Sequence, residues 1–211
     1  VYIVSARERN DGTVILAGMT KSAPVTRNAW QDSSGGETDI YIACLGSSMD
    51  TLIWATYLGG SGEEYLAGAG RWICFNTAAN PDSRLWKACR QLFMAHPGAP
   101  TNDAIAVDTE GNIWLAGTTK SPVLQQVPEM TMRSKGGSAD LLIARYDRDG
   151  QPSMIRSFGG TVASLDGDSE MALNLELLPC GNALVYGITS TTDFPLHDPL
   201  DRGTMDESPP V

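Results

Sequence analysis

Apolar residues in this chain gather in short runs, such as Val14-Ile15-Leu16-Ala17, Ile40-Tyr41-Ile42-Ala43, Leu52 to Leu58 and Ile113-Trp114-Leu115-Ala116. The runs are rich in Ile, Val, Leu, Tyr and Trp and are bounded by Gly, Asn or Asp, which is how strands are written. Strict alternation of apolar and polar residues would leave one wet face. Apolar residues at consecutive positions predict strands covered on both faces.

The runs repeat. Asp11-Gly12-Thr13-Val14-Ile15-Leu16-Ala17-Gly18-Met19-Thr20-Lys21-Ser22 returns as Glu110-Gly111-Asn112-Ile113-Trp114-Leu115-Ala116-Gly117-Thr118-Thr119-Lys120-Ser121, and more loosely from Cys180 to Ser190. A second block, Gly35-Gly36-Glu37-Thr38-Asp39-Ile40-Tyr41-Ile42-Ala43, matches Gly136-Gly137-Ser138-Ala139-Asp140-Leu141-Leu142-Ile143-Ala144. A third ends in Tyr57-Leu58-Gly59-Gly60 and Ser157-Phe158-Gly159-Gly160. A fourth is Asp103-Ala104-Ile105-Ala106-Val107-Asp108, loosely matched by Met171 to Leu178. Gly12 to Gly60 spans 48 positions and Gly111 to Gly160 spans 49. The first repeat is longer by about 30 residues, all between Gly60 and Asp103; without them the period is about 70, four strands to a unit.

Four-stranded units covered on both faces are the anatomy of propeller blades stacked around an axis. A β-solenoid would use much shorter periods. The expected fold is therefore all-β: a β-propeller segment of four-stranded blades, an incomplete ring, with one inserted α-helix. Residues 1–11 read as the end of a preceding blade and 12–110 as the first full repeat. Residues 111–180 read as the second repeat, and 181–211 as the start of a further blade and a tail. Two units do not close a ring, so further blades of a longer chain, another chain, or an open stack with its edges capped by a neighbour is expected. The sequence opens at Val1 without Met, which reads as a processed or partial product.

The insertion, about 71–101, has a different period. After Asn80-Pro81-Asp82-Ser83, a helix start, Leu85, Trp86, Cys89, Leu92, Phe93 and His96 recur at three- and four-residue spacing until Pro97-Gly98. This predicts an amphipathic helix of about four turns. One reading packs its stripe on its own blade. The other makes it a docking helix, with Trp86 and Phe93 as anchors and Arg84, Lys87 and Arg90 meeting acidic groups on a partner.

Composition narrows the partners. The net charge is −10, and an acidic surface repels phosphate backbones and anionic lipid, so neither nucleic acid nor anionic lipid is expected as a partner. No run reaches the roughly 20 apolar residues of a membrane-spanning helix. The four cysteines, Cys44, Cys74, Cys89 and Cys180, form no CxxC or zinc spacing. Cys44 reads as a buried thiol in a strand. Cys74 and Cys89 both fall within the insertion, and the sequence leaves open whether they are bridged.

These residues resemble the SBBP-type β-propeller repeat. That family's repeat carries a Gly-Asn strand ending in Gly-x-Thr, then Asp-Phe-Pro, a Gly-Gly–Asp–apolar strand, Tyr-Leu-Gly-Gly-Ser-Gly-Asp-Asp, and Ile-Ala-Val-Asp. Gly187-Ile188-Thr189-Ser190-Thr191-Thr192-Asp193-Phe194-Pro195 matches the first part. Thr56-Tyr57-Leu58-Gly59-Gly60-Ser61-Gly62-Glu63-Glu64-Tyr65 matches the later part with Glu for Asp, and Ile105-Ala106-Val107-Asp108 matches the last strand. The second repeat departs from it: Phe158-Gly159-Gly160-Thr161-Val162 lacks Ser-Gly-Asp-Asp, and Asp-Phe-Pro is absent after Ser121. The resemblance implies a propeller repeat from surface or secreted bacterial proteins, without a general catalytic activity.

The search for chemistry yields little. Gly18-Met19-Thr20-Lys21-Ser22 and its copy lack the Gly before Lys of a phosphate loop and end strands rather than opening helices. Asp147-Arg148-Asp149-Gly150 would align Arg145 and Arg156 with calcium-loop ligand positions, so a tight turn is expected. Asp166, Asp168 and Glu170 form an acidic loop, with Glu63 and Glu64 in the corresponding loop of the first repeat. They are weak calcium candidates set against solvated turns. His96 and His197 belong to no nucleophile motif. Trp54 and Trp114 sit inside strand blocks and are expected in the core. No catalytic residue or cofactor is expected. The leading function is a non-enzymatic scaffold or protein-interaction module, a subunit or fragment of a larger assembly. The alternatives are a carbohydrate- or surface-binding propeller and a piece of a propeller enzyme whose active site lies elsewhere.

Overall fold

The structure, a computed structural model, describes residues 1–67, 104–124, 139–161, 170–189 and 191–195. Within them the chain is all-β and antiparallel. β1 (Tyr2–Glu8), β2 (Val14–Thr20), β3 (Asp39–Leu45) and β4 (Leu52–Leu58) form one sheet in chain order. The second sheet holds β5 (Glu64–Leu66) and β6 (Ile105–Val107), both paired with β7 (Ile113–Thr119), then β8 (Asp140–Tyr146) and β9 (Pro152–Phe158). A third sheet pairs β10 (Glu170–Leu177) with β11 (Ala183–Thr189).

The first hairpin of each sheet is the same object. In the first, Arg9 N–H donates to Thr13 O at 2.8 Å and Gly12 N–H to Arg9 O at 2.9 Å. Asp108, Gly111 and Asn112 repeat these bonds, as do Leu178, Gly181 and Asn182. Gly12, Gly111 and Gly181 all take left-handed backbone, with φ between 79° and 84°, where a Cβ is disfavoured. The recurring Gly in the sequence blocks is thus a turn requirement.

A bulge recurs as well. β1 skips a residue between Ile3 and Ser5, opposite Gly18 and Ala17. β10 does so between Ala172 and Asn174, opposite Gly187 and Tyr186. At the same register the first strand of the second sheet is cut in two. Leu66 pairs with Gly117, Ala67 N–H donates to Ala116 O, Ala116 N–H donates to Ala104 O, and Ile105 pairs with Leu115. The chain therefore leaves the ladder at Ala67 and re-enters it at Ala104, at the register where Val4 and Leu173 stand alone. A bulge already interrupts the ladder, which makes it the place where extra chain costs the fewest hydrogen bonds. The expected helix over about 71–101 lies outside the described residues.

The sheets stack. β1, β2 and β3 pack on β5 and β6, while β6, β7 and β8 pack on β10. One apolar core runs through all three, from Ile15, Ile40, Trp54 and Leu58 through Leu66, Ile113, Leu115 and Tyr146 to Ala172 and Leu175. The stacking contact repeats: the space a Cβ would fill on Gly117 lies 3.4 Å from Ile40 Cδ1, and on Gly187 3.2 Å from Leu141 Cδ2. Opposite this core, Tyr41, Ala43, Ala55 and Tyr57 form a second cluster, the two rings edge to face at 5.6 Å. The β2–β3 connection covers it. Tyr41 Oη donates to Val25 O at 2.5 Å, and Arg27 bridges to Ala55.

The sheets are in a different phase from the sequence units. The 103–108 segment, taken as the last strand of the 12–110 repeat, contributes β6 to the second sheet and pairs with β7, not with β4. Boundaries between sheets fall after Leu58 and after Phe158. Among the described residues no ring is closed, and the third sheet has two strands. No helix among them is long and apolar enough to cross a membrane.

Candidate functional site

At each boundary between sheets the chain turns through a Gly-Gly pair and brings two acids together. β3 opens with Asp39 and β5 opens with Glu64; both are completely buried. A Cβ on Gly59 would collide with Asp39 Oδ1 and fall 2.7 Å from Glu64 Oε2. The bare glycine is what lets the carboxyls meet. Asp39 Oδ2 accepts Gly35 N–H at 2.7 Å, and Asp39 Oδ1 is buried without a hydrogen-bond partner. Glu64 accepts Thr119 Oγ1–H at 2.6 Å on Oε1 and Gly60 N–H at 2.9 Å on Oε2. Burial raises Glu64 above the ordinary carboxylate range against the opposing donors, and the Asp39 charge adds to the rise.

The next boundary has the same plan. Asp140 opens β8 and Glu170 opens β10, both buried. A Cβ on Gly159 would collide with Asp140 Oδ1 and fall 2.9 Å from Glu170 Oε2. Glu170 Oε1 accepts Thr189 Oγ1–H at 2.7 Å and Thr191 Oγ1–H at 2.5 Å. Burial raises its carboxyl too. Glu64 and Glu170 are therefore interior acceptors, not members of solvated turns, and the described residues contain no group of three or more acidic, His or Cys side chains able to hold a metal. Asp166 and Asp168 lie outside the described residues, as do Arg84, Trp86, Lys87, Arg90 and Phe93.

Register explains which acid turns inward. In β5 side chains alternate, so Glu64 and Leu66 point to the core while Tyr65 is half-buried. Glu63, just before the strand, pairs with Lys120 Nζ at 2.8 Å at the surface. The signal that could have located the pairs is the joint recurrence of Gly-Gly-x-x-Asp, of Gly-Gly before Glu, and of Thr-x-Ser/Thr at strand ends.

The far end of the first boundary is closed by hydrogen bonds to one carbonyl. Arg9 Nη2 donates to Arg148 O at 3.1 Å, and Trp54 Nε1 donates to the same oxygen at 2.9 Å. Arg148 returns an ion pair to Asp11 at 2.5 Å, and Thr13 and Arg148 hold the Asp11 carboxyl down at about 2. The expected tight turn at Asp147 to Gly150 is present: Gly150 N–H donates to Asp147 O at 3.3 Å. Cys44 is buried and free, and burial pushes its thiol up. Trp54 is in the core, and Trp114 packs against it under Arg145, whose guanidinium lies 5.3 Å from the ring.

The third sheet differs in what covers it. By the shared turn register, Leu184 and Tyr186 of β11 occupy the positions of Ile15 and Ala17 in β2. Ile15 and Ala17 are wholly buried in the core shared with the second sheet, whereas Leu184 is 37% and Tyr186 47% exposed. No protein-family model matches the chain, and no curated protein matches it.

Proposed function

We propose that this chain is a segment of a β-propeller built from SBBP-type repeats, and that it serves as a non-enzymatic scaffold completed by further blades. The carrying observation is the uncovered face of β11. The same positions in β2 are buried by the next sheet, and the first two sheets each bury a strand opening with Asp beside the Thr that closes β2 or β7. A partner for β11 is thus a further sheet of the same kind. Burying a Leu or aromatic side chain there contributes about 1.5–3 kcal/mol each, and exposed apolar sheet surface favours association.

Sedimentation of the full chain tests this reading. The expected result is reversible association that Leu184→Lys with Tyr186→Lys reduces, the circular dichroism of both proteins being the same. A wild type that stays monomeric at every concentration, with sedimentation unaffected by the two lysines, contradicts it.

A further inference from the structure

We propose that Asp39 and Glu64 form a proton-sharing latch between the first and second sheets, closed while one of the two carboxyls holds a proton and loosened when both are ionised. The geometry leaves little else. Both side chains are completely buried and face each other over Gly59, yet come from strands of different sheets. The hydrogen bonds to Glu64 come from neutral donors, Thr119 and Gly60, and Asp39 Oδ1 has none. Two like charges so close in a dry site cannot both persist without a counter-ion. A calcium ion would need six to eight oxygens, while both Glu64 oxygens already accept hydrogen bonds. A proton carried on Glu64 can be donated to Asp39 Oδ1, giving that buried oxygen its partner.

The surrounding charges do not neutralise the pair. From the second sheet Lys120 is engaged with Glu63 and lies 5.5 Å from the Tyr65 ring centre. Lys21, after β2, acts on Glu63. From β4 comes the phenol of Tyr57, which burial pushes up and the Asp39 charge raises further. Glu37 and Glu63 add negative charge nearby. The same acid–acid geometry at Asp140 and Glu170 makes this a device of the repeat rather than an accident of one boundary.

The latch sits where main chain also crosses. Glu64 N–H donates to Thr38 O at 2.7 Å and Glu37 N–H to Gly62 O at 3.1 Å. Loss of the shared proton, released to solvent, leaves two anions pressing on this crossing. Because Glu64 lies above its unfolded value, its contribution is complete below the ordinary glutamate range. It is lost as pH rises through the folded-state value.

The test is denaturation of the full chain from about pH 4.5 to about pH 8.5, with carbon-13 carboxyl titration of the wild type beside it. The expected results are a midpoint that falls as pH rises, and a Glu64→Gln protein whose midpoint falls less and exceeds wild type at the alkaline end. The Glu64 carboxyl should titrate above the ordinary range. Should Glu64→Gln fail to fold, the wild-type titration decides alone. A Glu64 that titrates as an ordinary surface carboxyl overturns the proposal. So does a wild-type midpoint raised by calcium at alkaline pH, which would make the pair a cation site.

Discussion

Trp54 and Arg148 are 94 residues apart, yet the indole N–H of the first donates to the main-chain oxygen of the second at 2.9 Å. The bond joins β4 of one sheet to the β8–β9 turn of the next. Trp54 is almost fully buried, so it supplies both core volume and a cross-sheet hydrogen bond. Trp54→Phe should cost about 1–2 kcal/mol, since Arg148 O keeps Arg9 as donor. Trp54→Ala should cost about 3–5 kcal/mol through the cavity it leaves. Urea denaturation checks both.

Gly150 carries a double constraint. Its φ is 79°, and a Cβ would lie 2.6 Å from the Trp54 ring. Gly181 has φ 84° with nothing within 4 Å. Gly181→Ala should therefore cost about 1 kcal/mol, the left-handed backbone alone. Gly150→Ala should cost about 2–4 kcal/mol, because crowding of a packed ring adds to it. Equal losses would show that the turn does not rest on Trp54.

The corresponding turn of the first sheet, between β3 and β4, holds Met49 at φ 58°, exposed to solvent. A side chain so exposed buries little surface to offset the left-handed backbone. Met49→Gly should raise stability by about 0.5–1 kcal/mol, read as a higher denaturation midpoint at unchanged slope.

Between Ala67 and Ala104 the ladder breaks at the register of a single bulged residue. Replacing 68–103 with a direct link from Ala67 to Ala104 should join β5 and β6 into one bulged strand like β1 and β10. The shortened protein should keep its β-sheet circular dichroism and lose no stability, because closing a shorter loop costs less entropy. Loss of the fold would place the segment inside the core instead.

The strands and their turns were legible because each rests on local rules: a Gly where the hairpin needs left-handed backbone, and apolar runs where both faces are covered. The grouping of strands into sheets was not. Repetition gives a period but no phase, and only the pairing of Ile105 with Leu115 assigns the 103–108 segment to the second sheet. The acid pairs were hidden for a related reason. Glu63 and Glu64 look alike in sequence, and the alternation of a three-residue strand sends one to Lys120 at the surface and the other to Asp39 in the core. Cys44 and Trp54 were placed correctly, because an apolar strand run by itself predicts their burial.

The stacking of the first two sheets is tested most directly by proton NMR at Gly150. With the Trp54 ring against its α-carbon, one Gly150 α-proton should show a strong upfield ring-current shift and nuclear Overhauser contacts to the indole. An unshifted Gly150 without those contacts would mean that the first two sheets do not lie on one another as described.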